Sequence, residues 1–287
     1  MRLNKYISHN TKYSRREADR LIEAGEVTLN KQPLQDFAYE VQEDDRIFVK
    51  GKLVKEKSNE VTVIVYNKPK GVLVTKKDDR GRATIYHKLP GKFRHFVPIG
   101  RLDYASEGLL LLTDNIEVAT ALMESGLDRT YNLKIDKPVT QEMIDAMQEG
   151  LVLDDARAGA HEKSKIYSME FAPFAHFEIR AEGKSFTKLR VTITEGKNRE
   201  LRRFFAHFDA KVLDLKRVAF GGIELNNLPT NKTRFFSRKE YDDVHQFMKR
   251  KKANAIAQAK NRANAQKQEV ENKNKKEFKS KRAHKKD

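Results

Sequence analysis

The spacing of hydrophobic positions changes period several times along the chain, and each change marks an element. Leu3, Tyr6 and Ile7 recur at helical spacing. Ser14-Arg15-Arg16-Glu17 is a capping box in which Ser14 accepts from an orphan backbone N–H and Glu17 reaches back. It opens a helix whose apolar face is Ala18, Leu21 and Ile22, with Gly25 as its stop. Val27-Thr28-Leu29 then alternates as a strand, Asn30-Lys31 turns, and Ile47-Phe48-Val49 forms another strand. Residues 1–50 thus read as a small separate module, and the polar, lysine-rich stretch 51–60 as a linker. Val61 to Tyr66 is strongly β-forming, Asn67 to Gly71 breaks it with turn residues, and Val72 to Thr75 resumes as a strand. Ala83 to Leu89 reads as a short helix ended by Pro90-Gly91.

The middle of the chain is organised around Phe96 to Thr113. An apolar run reaches Ile99, Gly100-Arg101-Leu102-Asp103 interrupts it, and a second run opens after Gly108. That is strand, loop, strand, with Asp103 presented between two buried elements. By itself Asp103 is either an ordinary turn aspartate or a reactive carboxylate. Asp114 or Asn115 caps a helix carrying Val118, Ala119, Leu122 and Met123. Arg129 to Ile135 alternates, placing Tyr131, Leu133 and Ile135 on one face. Thr140 caps a helix with Met143, Ile144 and Met147 inward, and strands follow at Ile166 to Phe171, Phe177 to Ala181 and Lys188 to Thr194.

Glu195 to Phe208 is the second informative stretch. Gly196 permits a turn, Asn198 is placed to cap a helix, and Leu201, Phe205 and Phe208 form its buried stripe. Arg199, Arg202 and Arg203 are expected on a different flank near the helix start. Three guanidiniums there oppose the macrodipole, so a protein carboxylate or a bound phosphate must compensate. Val212, Leu213, Leu215, Val218 and Phe220 make a further strand before Gly221-Gly222.

Charge sharpens this picture. The net charge is +17, which points to a polyanionic partner, but +11 of it falls in residues 249–287. That tail has few apolar side chains; it either solubilises the protein or clamps RNA nonspecifically, with some helix around Ala253 to Ala265. Lys12, Arg15, Arg16 and Arg20 cluster at the second helix, as a solvated basic face or a nucleic-acid contact. No cysteine occurs, which excludes disulfides, thiolate catalysis and thiolate metal sites. Eight histidines lie at no metal-ligand spacing, and the Asp-Asp pairs sit in turns, so a two-metal nuclease is disfavoured. Apolar runs are too short to span a bilayer, and the expected setting is cytoplasmic. What is left is a carboxylate, a tyrosine and arginines on separate elements behind a basic module.

The residues from Ser14 to Asn30 resemble an S4 domain, the small RNA-binding module also called αL-type, which implies binding of structured RNA through Lys12, Arg15, Arg16 and Arg20. Gly100-Arg101-Leu102-Asp103, Arg129-Thr130-Tyr131 and Glu195 to Arg203, following that module, resemble the RsuA/RluB/RluF type of ribosomal RNA pseudouridine synthases over roughly residues 1–245. The resemblance implies an α+β chain: an S4 domain at 1–50, a linker at 51–60, a mixed α/β catalytic domain at 61–248 on a bent, mainly antiparallel sheet, and a basic tail at 249–287. It implies isomerisation of uridine to pseudouridine without cofactor or metal, by a monomer. Asp103 would act at the ribose as nucleophile or base, Tyr131 would stack on the base, and Arg202 would pair with Asp103. Leu215 would line the base pocket, while Lys68, Arg101, Lys197, Arg199 and Arg203 would contact RNA. Asp79 to Thr84 and Lys88-Leu89-Pro90 are closer to the large-subunit type, so 23S RNA is the expected substrate rather than 16S. The rival from another class is a noncatalytic S4-type RNA-binding or ribosome assembly factor, in which Arg15 and Arg16 matter and Asp103 does not.

Overall fold

The computed structural model describes residues 1–254 and 257, apart from 12, 43 and 56–60. Lys12, most of the tail and the second half of the linker therefore lie outside the described residues. One compact unit runs from Met1 to Phe235 and a second begins at Phe236 with a helix over 238–254.

The N-terminal part of the first unit is built as its local sequence dictates. Helix α1 (Leu3–Asn10) and α2 (Arg15–Glu23) pack Leu3, Ile7, Ala18 and Ile22 into a shared core. The capping box forms in full, Ser14 Oγ accepting from Glu17 N and Glu17 Oε2 from Ser14 N. Strands β1 (Val27–Leu29), β2 (Gln32–Pro33), β3 (Ile47–Val49) and β4 (Lys52–Leu53) make an antiparallel sheet in the order β2-β1-β3-β4. The stretch expected as linker thus opens with a strand, and Val54 is buried in this small core. Arg15, Arg16 and Arg20 are exposed on α2.

The rest of the unit is a nine-stranded sheet with its own core. Its strands are β5 (Val63–Lys68), β6 (Val97–Ile99), β7 (Glu107–Thr113), β8 (Arg129–Ile135), β11 (His176–Gly183), β12 (Phe186–Ile193), β13 (Val212–Phe220), β14 (Ile223–Glu224) and β15 (Thr233–Phe235). Two more strands, β9 (Leu151–Leu153) and β10 (Met169–Phe171), pair separately. Helices α3 (Ile85–Lys88), α4 (Ile116–Met123), α5 (Gln141–Glu149) and α6 (Glu200–His207) complete it, followed by the helix over 238–254 as α7. The order is β11-β12-β8-β13-β7-β5-β15, with β14 on β13 and β6 on β7. Every pairing is antiparallel except β13 with β7, which meet in parallel through Lys216↔Glu107 and Arg217↔Gly108.

Several local expectations need correction. Asn67 and Lys68 are not turn residues but the buried end of β5. Val72 to Thr75 does not form a strand; one bridge joins Leu73 to Thr84, and Val72 and Val74 point into the core instead. Strand β10 begins only at Met169, and β9 and β15 were not anticipated. Helix α6 starts from Arg199 in the left-handed region (φ +52°), with no side-chain cap from Asn198. The Asn198 side chain instead accepts from Arg203 Nη2 at 3.2 Å.

Candidate active site

The loop from Gly100 to Ser106 joins β6 to β7, two strands that pair through Ile99↔Leu111. Gly100 adopts φ +75°, which turns the chain out of β6 at no Cβ penalty. The loop is pinned from below. Lys68, fully buried, donates from Nζ to the carbonyls of Pro69 (3.0 Å), Asp103 (3.1 Å) and Ser106 (2.8 Å). Ser106 N also donates to Asp103 O at 3.1 Å. Burial pulls the Lys68 ammonium down to about 8, opposed by the carboxylates of Asp103 and Glu107. Lys68 is therefore not an RNA contact, because all its donors are spent inside the protein. It is the post on which the Asp103 backbone rests.

Asp103 faces the start of α6. Its Oδ2 lies 3.6 Å from Arg199 Nη1 and 3.8 Å from Arg202 Nε. The carboxylate that the crowded arginines required is thus Asp103 itself. Arg202 is anchored by Nη1 to Val212 O at 2.9 Å, with Nη2 3.4 Å from Ala105 O and Ser106 Oγ. Burial and then Arg199 lower its guanidinium from the usual value, while Asp103 and Asp214 oppose the shift. Arg199 Nε donates to Gly159 O at 2.7 Å. Both guanidiniums are thus oriented by backbone carbonyls, leaving one edge of each toward the carboxylate.

Arg203 departs from the expectation. It is fully buried and does not share the flank of Arg199 and Arg202. Its guanidinium donates to Asn198 O (3.0 Å), Ile166 O (3.2 Å), Ser164 Oγ (2.7 Å) and Ala156 O. It cannot contact RNA; it ties the 154–168 segment to α6. Replacing it, Arg203→Met, strands those acceptors in a dry site. The expected loss is about 3 kcal/mol of stability, checked by the urea midpoint of unfolding.

A cleft of about 890 Å³ opens in front of Asp103. Arg101, Tyr131, Leu215, Lys197 and Arg199 line it, so these five expected residues converge with Asp103, and Arg202 reaches Asp103 from the side. Arg101 is exposed at the lip. Lys197 is engaged within the protein, pairing with Glu195 at 2.7 Å and donating to Glu170 O at 2.6 Å. Among the described residues no group of three His, Asp or Glu side chains converges to hold a metal ion, and no helix is long and apolar enough to cross a membrane.

Two cleft residues were missed from sequence. Arg129 and Arg217 are 8% and 3% exposed and lie against the Phe220 ring, 5.0 and 5.6 Å from its centroid. Arg129 donates to Leu127 O and Thr194 O. Burial pulls its guanidinium down, with Tyr131 opposing, Arg217 reinforcing and Glu200 opposing. A signal for Arg129 was present: it precedes Tyr131 by two residues in an alternating strand and so shares its face.

Comparison with known proteins follows the same division. The family described as RNA pseudouridylate synthase matches residues 62–207, and the S4 domain matches residues 1–47. A Helicobacter pylori protein named as an uncharacterized RNA pseudouridine synthase is 51% identical over 86% of this chain and 95% of its own length. Ribosomal large subunit pseudouridine synthase B of Bacillus subtilis is 33% identical over 81% and 91%. The dual-specificity RNA pseudouridine synthase RluF of Escherichia coli K12 is 32% identical over 91% and 83%. A crystal structure of a pseudouridylate synthase superposes with a TM-score of 0.58 at 24% identity, covering 85% of this chain and 99% of that one, a likeness of fold.

Proposed function

The chain belongs to the RNA pseudouridylate synthase family and carries an S4 domain, and from that premise we propose that it converts a uridine of ribosomal RNA, in the 23S molecule, to pseudouridine. The observation that carries this reading is the Asp103 carboxylate held between Arg199 and Arg202 at the mouth of a cleft that also contains Tyr131 and Leu215. The 23S choice is supported by the motif at Asp79 to Thr84 and by the large-subunit enzyme named among the relatives.

In this reading Asp103 acts on the ribose while the C1′–N1 bond breaks, and C5 of the rotated uracil then bonds to C1′. The two arginines fix the carboxylate by charge and direction, and the Lys68 post fixes its backbone. A uridine stacked in folded RNA cannot reach the carboxylate, so the base must flip, with Tyr131 and Leu215 replacing the stacking it loses. Arg15, Arg16 and Arg20 on α2, with Arg101 at the cleft lip, hold the RNA backbone.

The test is primer-extension mapping of carbodiimide-modified pseudouridines across 16S and 23S RNA from cells with and without the gene. Loss of one stop in 23S RNA is expected. A loss in 16S RNA instead would overturn the subunit choice and keep the reaction. Identical maps in both strains and no conversion by the purified protein would favour a noncatalytic RNA-binding role.

A further inference from the structure

The cleft contains a buried guanidinium with one donor that no described residue takes up. Arg217 stands on β13 directly opposite Tyr131 on β8 and two residues from Leu215, so all three share the cleft face of the sheet. Its Nε donates to Leu109 O at 2.7 Å, which fixes the plane of the guanidinium. Its Nη2 is buried and has no hydrogen-bond partner among the described residues. No carboxylate lies within 4 Å of Arg217 or of Arg129 among the described residues, whereas Arg199 and Arg202 nearby both have the Asp103 carboxylate within 4 Å. A buried guanidinium with an unspent donor is costly unless a ligand completes it. Tyr131 opposite it and the Phe220 ring against it give Arg217 aromatic neighbours suited to a base, while Arg101, Lys197 and Arg199 supply the cations elsewhere in the cleft.

We propose that Arg217 is a catalytic residue that donates a hydrogen bond to a carbonyl oxygen of the flipped uracil and stabilises the negative charge on the detached ring. The inference rests on the uridine isomerisation proposed above. When C1′–N1 breaks, its electron pair stays with the ring, and one negative charge is shared by N1, O2 and O4. The guanidinium gives no proton; it offers a fixed donor and a full positive charge where that charge gathers. On reattachment C5 supplies the electron pair to C1′, C5 loses its proton and N1 gains one, so the product is an isomer and the guanidinium is unchanged. Arg129, which lies against the same Phe220 ring and lines the same cleft, adds a second positive charge.

The experiment compares the parent protein with Arg217→Gln and Arg217→Lys on 23S transcripts made with uridine or with 5-fluorouridine, reading loss of the N1-linked target nucleoside by mass spectrometry under single-turnover conditions, because a ring with fluorine at C5 has no proton to release there and goes no further than the C5-linked adduct. Arg217→Gln is expected to lose about 100-fold in rate on uridine with unchanged RNA affinity. It should lose distinctly less on 5-fluorouridine, whose ring carries the negative charge without help. Arg217→Lys keeps the charge and should fall between; it decides the question alone if the Gln variant does not fold. Equal losses on both RNAs would mean a merely structural role and overturn the proposal, as would full activity of Arg217→Gln. A parent inactive on the uridine transcript, and on a 16S transcript run beside it, would overturn the reading beneath it, and the proposal with it.

Discussion

In an Asp103→Asn variant, turnover is expected to fall by about 10⁴-fold or more while RNA affinity stays at the parent level. The substitution is nearly isosteric, and the features that hold the loop do not involve the side chain. Lys68 and Ser106 N bind the Asp103 carbonyl, and Gly71 N binds that of Tyr104. What disappears is the negative charge between Arg199 and Arg202, and with it the group placed to act on the ribose. In the proposed reading binding is carried by other residues, the exposed arginines of α2 and Arg101. The measurement is pseudouridine formation in a single turnover, with filter binding of the same RNA. Turnover within tenfold of the parent would remove Asp103 from the chemistry. A parallel collapse of affinity would make it a binding residue.

The largest loss of stability is expected from Gly108→Ala, about 4 kcal/mol or more. Gly108 has φ +103°, which an L side chain rarely adopts, and a Cβ there would lie 2.2 Å from Arg217 O and 2.8 Å from Arg217 N. Both neighbours are backbone atoms of a central strand, so neither can rotate away. Gly100→Ala is the control: φ is +75° but nothing lies within 4 Å, so only the conformational penalty of about 1 kcal/mol applies. Urea unfolding of the two variants should therefore differ widely. Similar midpoints would show that β7 and β13 can separate at this point without loss.

Much of this architecture could be read from sequence where the cause is local. The Ser14 to Glu17 capping box, the alternation of β8 and the strand-loop-strand around Asp103 each depend on residues within a few positions of one another. What could not be read depends on partners far along the chain. Lys68 looks like a solvated turn lysine until carbonyls 35 and 38 residues later close over it. Arg203 looks like a sibling of Arg202 until the 154–168 segment wraps it. Arg217 finds its acceptor 108 residues away, at Leu109. Long basic side chains are read from sequence as surface, and the contacts that bury them carry no local trace. Val72 to Thr75 fails for a related reason: Val72 and Val74 fill core space, with a single bridge from Leu73 to Thr84 and no neighbouring strand to continue a ladder.

The parallel contact between β7 and β13 consists of two residue pairs, whereas β5 with β7 and β8 with β13 are joined along most of their lengths. The sheet is therefore two panels sewn by a short seam. Asp103 hangs from one panel, and Tyr131 and Leu215 belong to the other. Neither panel alone holds all three residues, so the proposed site comes together only when the last stitch closes. A chain that has folded either panel but not joined them therefore lacks the cleft on which the proposed reaction depends.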